Sequence, residues 1–387
     1  MRAMAFAFSE RFRPEELADA EALLPLERTV GWREDGEWVG TAAAIPFGLT
    51  IPGGAQLPAA GVTAVGVLPT HRRRGLLTGM MDALLEQARE REEPVAILFA
   101  AESPIYGRFG FGAATLDRSL RLARPYTRFR ADAPAPSGRL VAPAADATAA
   151  PRLAAVYARE QVRRPGAPTR DVAYFAHATL AREHDEPAPR RLVVYEGEGG
   201  DEGYALYRVA EGWDELPDLP DGSLTVLELV VLTPAAATAL WRYLLDVDLV
   251  ERVVATRRPA DEPLAHLLAD PGRLELYGVE GLYVALLDVP AALSARRYGA
   301  EGSIVIHVDG SGTFQLAGGP VGAECSPSSA PADIALSAET LGALYLGGVA
   351  PAAMAGAGRI EERSQGALPR LTAMLATPVA PWCPFVF

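Results

Sequence analysis

One order of parts occurs twice in this chain and limits what it can fold into: a short apolar strand, a turn containing proline, and an amphipathic helix. The first copy runs from Gly61 to Glu92, GVTAVGVLPTHRRRGLLTGMMDALLEQARERE. Val62 to Leu68 is rich in valine and carries no charge, and Pro69 then withholds a backbone donor and ends the pairing. From Gly75 onward, Leu76, Leu77, Met80, Met81, Leu84, Leu85 and Ala88 recur at helical spacing, while Asp82, Glu86, Gln87, Arg89 and Glu90 occupy the other face. The second copy, Ser223 to Asp246, reads SLTVLELVVLTPAAATALWRYLLD. It keeps strand, proline and helix, but Ala235, Ala236 and Ala237 stand where the first copy has arginines, and no glycine opens its helix. One strand–helix pair also fits an unrelated α/β unit, so the repeat is an expectation. The fold class expected is α/β (α+β), with two tandem units of this kind and a third part beyond them.

The first copy reads as a phosphate cradle. A helix N-terminus has unpaired N–H groups and a partial positive charge, and Arg72, Arg73 and Arg74 sit just before this one. Gly75 lets a phosphate approach the backbone without meeting a Cβ. The arrangement suits a pyrophosphate, yet both G-x-x-x-x-G-K-[ST] and G-x-G-x-x-G are absent. The plainer alternative is an ordinary strand–helix unit with a solvated basic turn.

After the helix, Pro94 to Ala101 (PVAILFAA) has the length and apolarity of a buried strand; Glu102-Ser103-Pro104 and then IYGRFGFG follow, from Ile105 to Gly112. By its residues alone, Tyr106 in this run is a packing aromatic beside Phe109 and Phe111. His71, His177, His184, His266 and His307 are scattered and form no nucleophile or metal constellation. Glu102, taken by itself, is a surface or helix-cap group. The chain ends PWCPFVF, and a terminus with Trp382, Phe385 and Phe387 braced by Pro381 and Pro384 is expected to dock rather than wave in water.

These motifs resemble a known family. The basic turn is similar to the acetyl-CoA motif of GNAT-type N-acetyltransferases, R/Q-x-x-G-x-G/A, with Arg72 and Gly75 in the first two fixed places and Leu77 departing from the third. T-H-R-R-R-G-L-L and Y-G-R-F-G-F-G resemble the forms found in the enhanced-intracellular-survival (Eis) acetyltransferases. The resemblance implies two tandem GNAT-like domains, the second without cofactor, followed by a sterol-carrier-protein-like domain. It implies that the strand carrying Val65, Gly66 and Val67 splays from the one carrying Leu98 to Ala101, with the pantetheine of acetyl-CoA in the gap. Val65, Gly66, Val67, Arg72, Arg73, Arg74, Gly75, Leu76, Leu77, Thr78, Ala101 and Glu102 are then the cofactor-binding candidates. Tyr106 would be the proton donor, since a phenol of pKa ~10 can protonate a departing thiolate whose thiol is near ~8.5, and the C-terminal carboxylate of Phe387 would be the proton acceptor for an amine of pKa ~10.4, with Glu102 as the fallback base. The implied activity is acetyl transfer to amino groups of cationic substrates of aminoglycoside, polyamine or lysine type, in a ternary complex and without a metal. A CoA-binding or hydrophobic-ligand-binding protein without turnover is the alternative. A homohexamer is implied by the family.

Composition sets the limits around this. At 387 residues the chain supports two or three domains. Its 36 basic and 49 acidic residues give a net charge of −13, which argues against a nucleic-acid partner and favours cationic ones. Cys325 and Cys383 are too few for a disulfide framework and are expected to be reduced. The opening MRAMAFAFSERFRPEEL lacks the apolar core of a leader, and no later run of ~20 apolar residues would span a membrane, so the cytoplasm is expected. Arg130 to Ala150, dense in Ala, Pro, Asp and Ser, reads as a boundary region. Pro151 to Gln161 is a helix candidate, and Arg190 to Val209 and Gly302 to Leu316 are hairpin candidates. Ala332 to Gly348 reads as a strand followed by a short helix, and Pro290 as a boundary. The units expected are residues 1–125, 126–288 and 289–387.

Overall fold

The computed structural model describes residues 17–181, 188–213 and 221–387. His184 and the segment read above as lacking a leader's core up to residue 16 lie outside them. After a short helix, α1 (Leu17–Leu23), the first sheet is built from β1 (Thr29–Glu34), β2 (Glu37–Thr50), β3 (Gln56–Val67), β4 (Val95–Phe99) and β5 (Gly112–Ala113). The strand expected from Val62 starts earlier, at Gln56. Gly53 and Gly54, at φ 103° and 84°, turn the chain back so that β3 pairs antiparallel with β2 from Thr50↔Gln56 to Gly40↔Val67. Helix α2 (Leu76–Glu90) covers this sheet with Leu76, Met80, Met81, Leu84, Leu85 and Ala88, the face its sequence spacing foretold.

β3 and β4 part company early. They pair in parallel only at Ala59↔Val95, Ala60↔Ala96 and Gly61↔Ile97. Just beyond, Ala64 takes a left-handed conformation (φ 53°) where the β2–β3 register slips between Thr41 and Ala43, and Thr41 Oγ1 donates to the Ala64 carbonyl at 3.0 Å. Such a bulge bends its strand. Val65 to Val67 therefore run on without β4 beside them.

The second sheet contains β6 (Leu116–Ala123), β7 (Arg139–Val141), β8 (Arg191–Gly197), β9 (Gly200–Ala210), β10 (Gly222–Val231), β11 (Val250–Arg258) and β12 (Glu275–Glu280), in the order β12-β6-β11-β10-β9-β8-β7. Its core lies under α4 (Pro234–Leu245), where Trp241 is wholly buried; α3 (Ala150–Gln161) packs near β9 and β10. The sheets do not divide where the sequence units were drawn. β6, from the first unit's stretch, pairs with β11 and β12, whereas β13 (Leu282–Leu286) returns to the first sheet and lies between β4 and β5. At the crossing, Thr115 Oγ1 accepts from the Leu282 N–H at 2.8 Å, and a Cβ on Gly281 would lie 2.2 Å from that oxygen.

The third part is a sheet of β14 (Gly302–Asp309), β15 (Gly312–Gly318), β16 (Ala323–Pro327), β17 (Ile334–Ser337) and β18 (Ile360–Glu362), with α5 (Val289–Ala295), α6 (Ala338–Leu344), α7 (Pro351–Gly356) and α8 (Ala367–Leu375). Pro290, expected at a boundary, lies in the first turn of α5, the helix with which this part begins, and Asp288 Oδ1 caps the Ala291 N–H at 2.9 Å. One apolar core runs from this part through β2 and β4 to the helix region around Tyr157 and Phe175, so the three parts are packed as one body. Among the described residues no helix is long and apolar enough to cross a membrane.

Candidate active site

The basic turn and the start of α2 form the first wall of the site. Pro69–His71 makes one turn of 3-10 helix, Arg73 follows at φ 62°, and Gly75 opens α2 at φ 80°. That left-handed φ, rather than room for a ligand alone, is what demands glycine. No side chain caps the helix, so its first N–H groups are left to solvent or a ligand. Leu76 is buried in the core and offers only its backbone; Leu77 is half-buried and Thr78 exposed. Arg72, Arg73 and Arg74 are exposed, but they are not equivalent. Arg74 grips Glu34 with two hydrogen bonds of 3.0 and 2.9 Å, and His71 Nε2 lies 3.1 Å from the same carboxylate. The hydrogen bond from Arg74 holds the Glu34 carboxyl below its usual range. Glu34, at the end of β1, escaped the sequence reading because nothing near it in the chain marks it.

The second copy has closed the corresponding place. α4 begins after Thr233, whose Oγ1 accepts from the Ala236 N–H at 3.2 Å, and Ala236 and Ala237 are buried. The helix terminus thus satisfies itself, with no arginine and no left-handed glycine at its start.

The gap between β3 and β4 forms the second wall. Val65 is half-buried, and Gly66 and Val67 are buried. β4 stops at Phe99, short of the expected Ala101, so Ala101 and Glu102 are exposed residues beyond the strand. Two 3-10 turns, Ser103–Ile105 and Gly107–Phe109, bracket Tyr106, which is only 9% exposed. Its ring lies edge-on to Phe111 at 6.2 Å, and no other described residue hydrogen-bonds its hydroxyl. Burial, and secondarily the charge of Glu102, push its pKa up, so the phenol keeps its proton through neutral pH. The packing role and the acid role are compatible in this position.

The turn around Tyr106 is clamped from outside. Ser103 Oγ donates to Glu280 at 2.6 Å, and the Tyr283 hydroxyl donates to the same carboxylate. Helix α6 of the third part lies against its backbone: a Cβ on Gly112 would sit 2.0 Å from the Glu339 carbonyl oxygen, and one on Gly342 would sit 2.1 Å from that of Val284.

The C-terminal segment arrives at the far end of the gap. It has no regular structure, yet Trp382, Cys383 and Phe385 are buried. The Trp382 N–H donates to the Pro165 carbonyl at 2.8 Å and its indole to that of Arg257 at 2.6 Å; Arg164 donates to the Ala380 carbonyl at 3.0 Å. Phe387 sets its ring 4.9 Å from Phe47 on β2 and 5.7 Å from Phe99 at the end of β4. Cys325 and Cys383 are both free and buried, and burial raises both thiol pKa values, that of Cys325 to about 11. Among the described residues no group of His, Cys, Asp and Glu is arranged to hold a metal ion.

Comparison with known proteins agrees with this architecture. Residues 1–114 and 166–284 each match an acetyltransferase (GNAT) domain family, and residues 289–384 match a sterol carrier protein domain family. An uncharacterized N-acetyltransferase of Streptomyces coelicolor is 40% identical over 385 residues, covering 96% of this chain and 92% of that protein. The N-acetyltransferase Eis of Mycobacterium tuberculosis is 36% identical over 401 residues, covering 99% of this chain and 95% of that protein. Among solved structures, Eis1 from Mycobacterium abscessus superposes with a TM-score of 0.85 at 30% identity, over 100% of this chain and 96% of that one. With two GNAT domains that exchange strands and a sterol-carrier-like domain behind them, the chain belongs to the Eis family of GNAT-type N-acetyltransferases.

Proposed function

We propose that this protein transfers the acetyl group of acetyl-CoA to amino groups of cationic substrates, of aminoglycoside, polyamine or lysine type, with both substrates bound at once. The observation that carries the reading is the seat of Phe387 on Phe99, which brings the chain's terminal residue to the freed end of β4. The residues present fit acetyl-CoA. The bulge at Ala64 frees Val65 to Val67 from β4, so their backbone groups are available to an amide-bearing arm. The uncapped start of α2, with Arg72 and Arg73 beside it, suits a pyrophosphate. In this reading Val65, Gly66 and Val67 hold the pantetheine, and the backbone from Gly75 to Thr78 with the arginines holds the phosphates. Arg74, through Glu34, keeps the turn in place. Ala101 and Glu102 border the entrance.

Acetyl-CoA, when bound, supplies the acetyl group and a thiolate leaving group. The Phe387 carboxylate takes a proton from the incoming amine, directly or through water. An N–H of Val65 or Val67 holds the carbonyl oxygen as charge builds on it. Tyr106, kept protonated by its burial, gives its proton to the departing sulfur. The net charge of −13 draws cationic acceptors toward the molecule. An assembly of six copies in the cytoplasm completes the reading.

The interior of the third domain speaks against a hydrophobic-ligand carrier. The apolar interior of the third domain, between Leu293, Ile306, Leu316, Leu344 and Leu371, holds a cavity of about 10 Å³. That is room for about one water, not a sterol. The deciding experiment is CoA-thiol release from acetyl-CoA with spermidine, an aminoglycoside and a lysine peptide as acceptors. Turnover is expected with at least one of them, and Tyr106→Phe or deletion of Phe387 is expected to lower kcat by about 10²- to 10⁴-fold while acetyl-CoA still binds. A truncated protein with full kcat would overturn the terminal base; no thiol release with any acceptor would count against the transferase.

A further inference from the structure

The gap that is free between strands in the first GNAT domain is filled in the second by the chain's own end. We propose that this degenerate cleft serves as the seat of the C-terminal segment, and that Arg170 is the positioning residue that fixes where the terminal carboxylate lies. The proposal rests on the reading of Phe387 as the base.

β10 repeats the behaviour of β3. It pairs in parallel with β11 from Gly222↔Val250 to Val226↔Ala255, then runs on to Val231 without it. Arg258 reaches across, its Nη1 donating to the Leu229 carbonyl at 2.5 Å. The tail closes over the freed end of β11: the Trp382 indole donates to the Arg257 carbonyl, and its ring lies 5.1 Å from the Arg258 guanidinium. Thus the backbone groups that a cofactor would meet in the first domain are met here by the protein itself.

Arg170 and Glu228 lie beneath this seat. Arg170 has no exposed side-chain surface, and both its terminal nitrogens donate to Glu228, at 2.9 Å each; the Tyr204 hydroxyl donates to the same carboxylate. The guanidinium is walled by aromatic faces, 3.9 Å from the ring centre of Phe175, 4.4 Å from Tyr157 and 4.3 Å from Phe385. Two of those walls belong to the domain; the third belongs to the tail, two residues before its end. A buried ion pair tolerates loss of its dry enclosure poorly, so slippage of the tail that unstacks Phe385 also lets water onto the pair. The pair in this way sets the register of the final residues. Lysine offers neither the planar face nor the two-pronged grip. Arg170 touches no reacting group on this reading; it acts through Phe385 on Phe387.

The test combines Arg170→Lys and Phe385→Leu with deletion of Phe387, singly and in pairs, in the full chain. Each of the two substitutions is expected to lower kcat about tenfold or more with the KM for acetyl-CoA within about twofold, because displacement by about 1 Å is costly to a reacting geometry. In the chain lacking Phe387, neither is expected to lower kcat further. A wild-type kcat in both variants, or losses that multiply with the deletion, would overturn the proposal. Should Arg170→Lys fail to fold, Phe385→Leu keeps both members of the ion pair and carries the same test. If the deletion itself leaves kcat unchanged, the base reading fails, and the seat is then judged by carboxypeptidase release of Phe387: faster release from the variants supports it, an unchanged rate refutes it.

Discussion

Phe387, the last residue of the chain, lies edge-on to Phe99, the last residue of β4, with ring centres 5.7 Å apart. The ring is the anchor and the carboxylate is the group proposed to act, so the two are separable. Phe387→Ala keeps a terminal carboxylate but loses the contacts to Phe99 and to Phe47. It is expected to lower kcat about tenfold to a hundredfold, less than deletion of the residue. Two glycines added after Phe387 keep the ring and move the carboxylate, and are expected to cost as much as the deletion. Steady-state kinetics on the three variants checks the order; equal activity of the extended and natural chains would remove the carboxylate from the mechanism.

Gly75 is constrained by its backbone more than by its surroundings. A Cβ there would meet nothing within 4 Å, but φ is 80°. Gly75→Ala is expected to cost about 1–2 kcal/mol of stability, the penalty of a left-handed L-residue, and to raise the KM for acetyl-CoA with little change in kcat. Gly75→Asn, which tolerates that conformation better, is expected to recover part of both losses. Urea unfolding and initial-rate kinetics measure the two effects, and an alanine variant as stable as the natural protein would show that the turn relaxes freely.

The contrast between the two helix starts explains which parts were legible in sequence. Spacing of apolar residues, Pro69 and Gly75 sufficed for the second half of β3, for α2 and for the turn between them, and Thr233 to Leu245 was readable in the same way, since each depends on neighbours a few residues away. The aromatic end was readable as a docked segment from its composition. Its destination came only through the family resemblance and not from local pattern, because Phe47 and Phe99 sit hundreds of residues earlier. The exchange of β6 and β13 between sheets was also invisible: an apolar strand has the same pattern in either sheet, and only the fit of Gly281 against Thr115 marks the crossing. Arg170 stood between Thr169 and Asp171 with no periodicity to flag it, and its partner Glu228 is 58 residues away. Side chains whose meaning comes from distant partners are beyond local pattern.

Helix α6 ties the third domain to the turn that carries Tyr106. Gly342→Ala would place a methyl 2.1 Å from the Val284 carbonyl oxygen and about as close as 3.1 Å to Gly110, so the helix must back away. The expected cost is about 1–3 kcal/mol from overpacking, together with a fall in kcat as the turn loses its support. Gly356→Ala, where nothing lies within 4 Å, is the control in the same domain and is expected to leave both unchanged. Thermal unfolding and kcat report the pair of effects; a Gly342→Ala enzyme that is destabilised but fully active would show that the turn holds itself.

Asp117 gives the protein a pH dependence that resides at the strand crossing. It is 1% exposed, accepts one hydrogen bond from Thr115 Oγ1 at 3.2 Å, and its Oδ2 has no partner among the described residues. Burial raises its pKa from 3.8 to about 7, against the opposing pull of the Thr115 hydrogen bond and of Arg257 and Arg258. Between pH 3.8 and 7 the folded state therefore holds a proton that the unfolded state has lost. Stability from this group is fully present below the lower value, falls as pH rises through the window, and is flat above it. The total is on the order of 4 kcal/mol. Asp117→Asn cannot titrate, so the unfolding free energy of the variant relative to the natural protein is expected to rise by up to that amount from pH 4 to pH 8, whatever fixed offset the substitution brings. Urea unfolding of both proteins at pH 4, 5.5 and 8 measures the difference directly, and one that stays constant across the series would mean that Asp117 is ionised in the folded protein throughout.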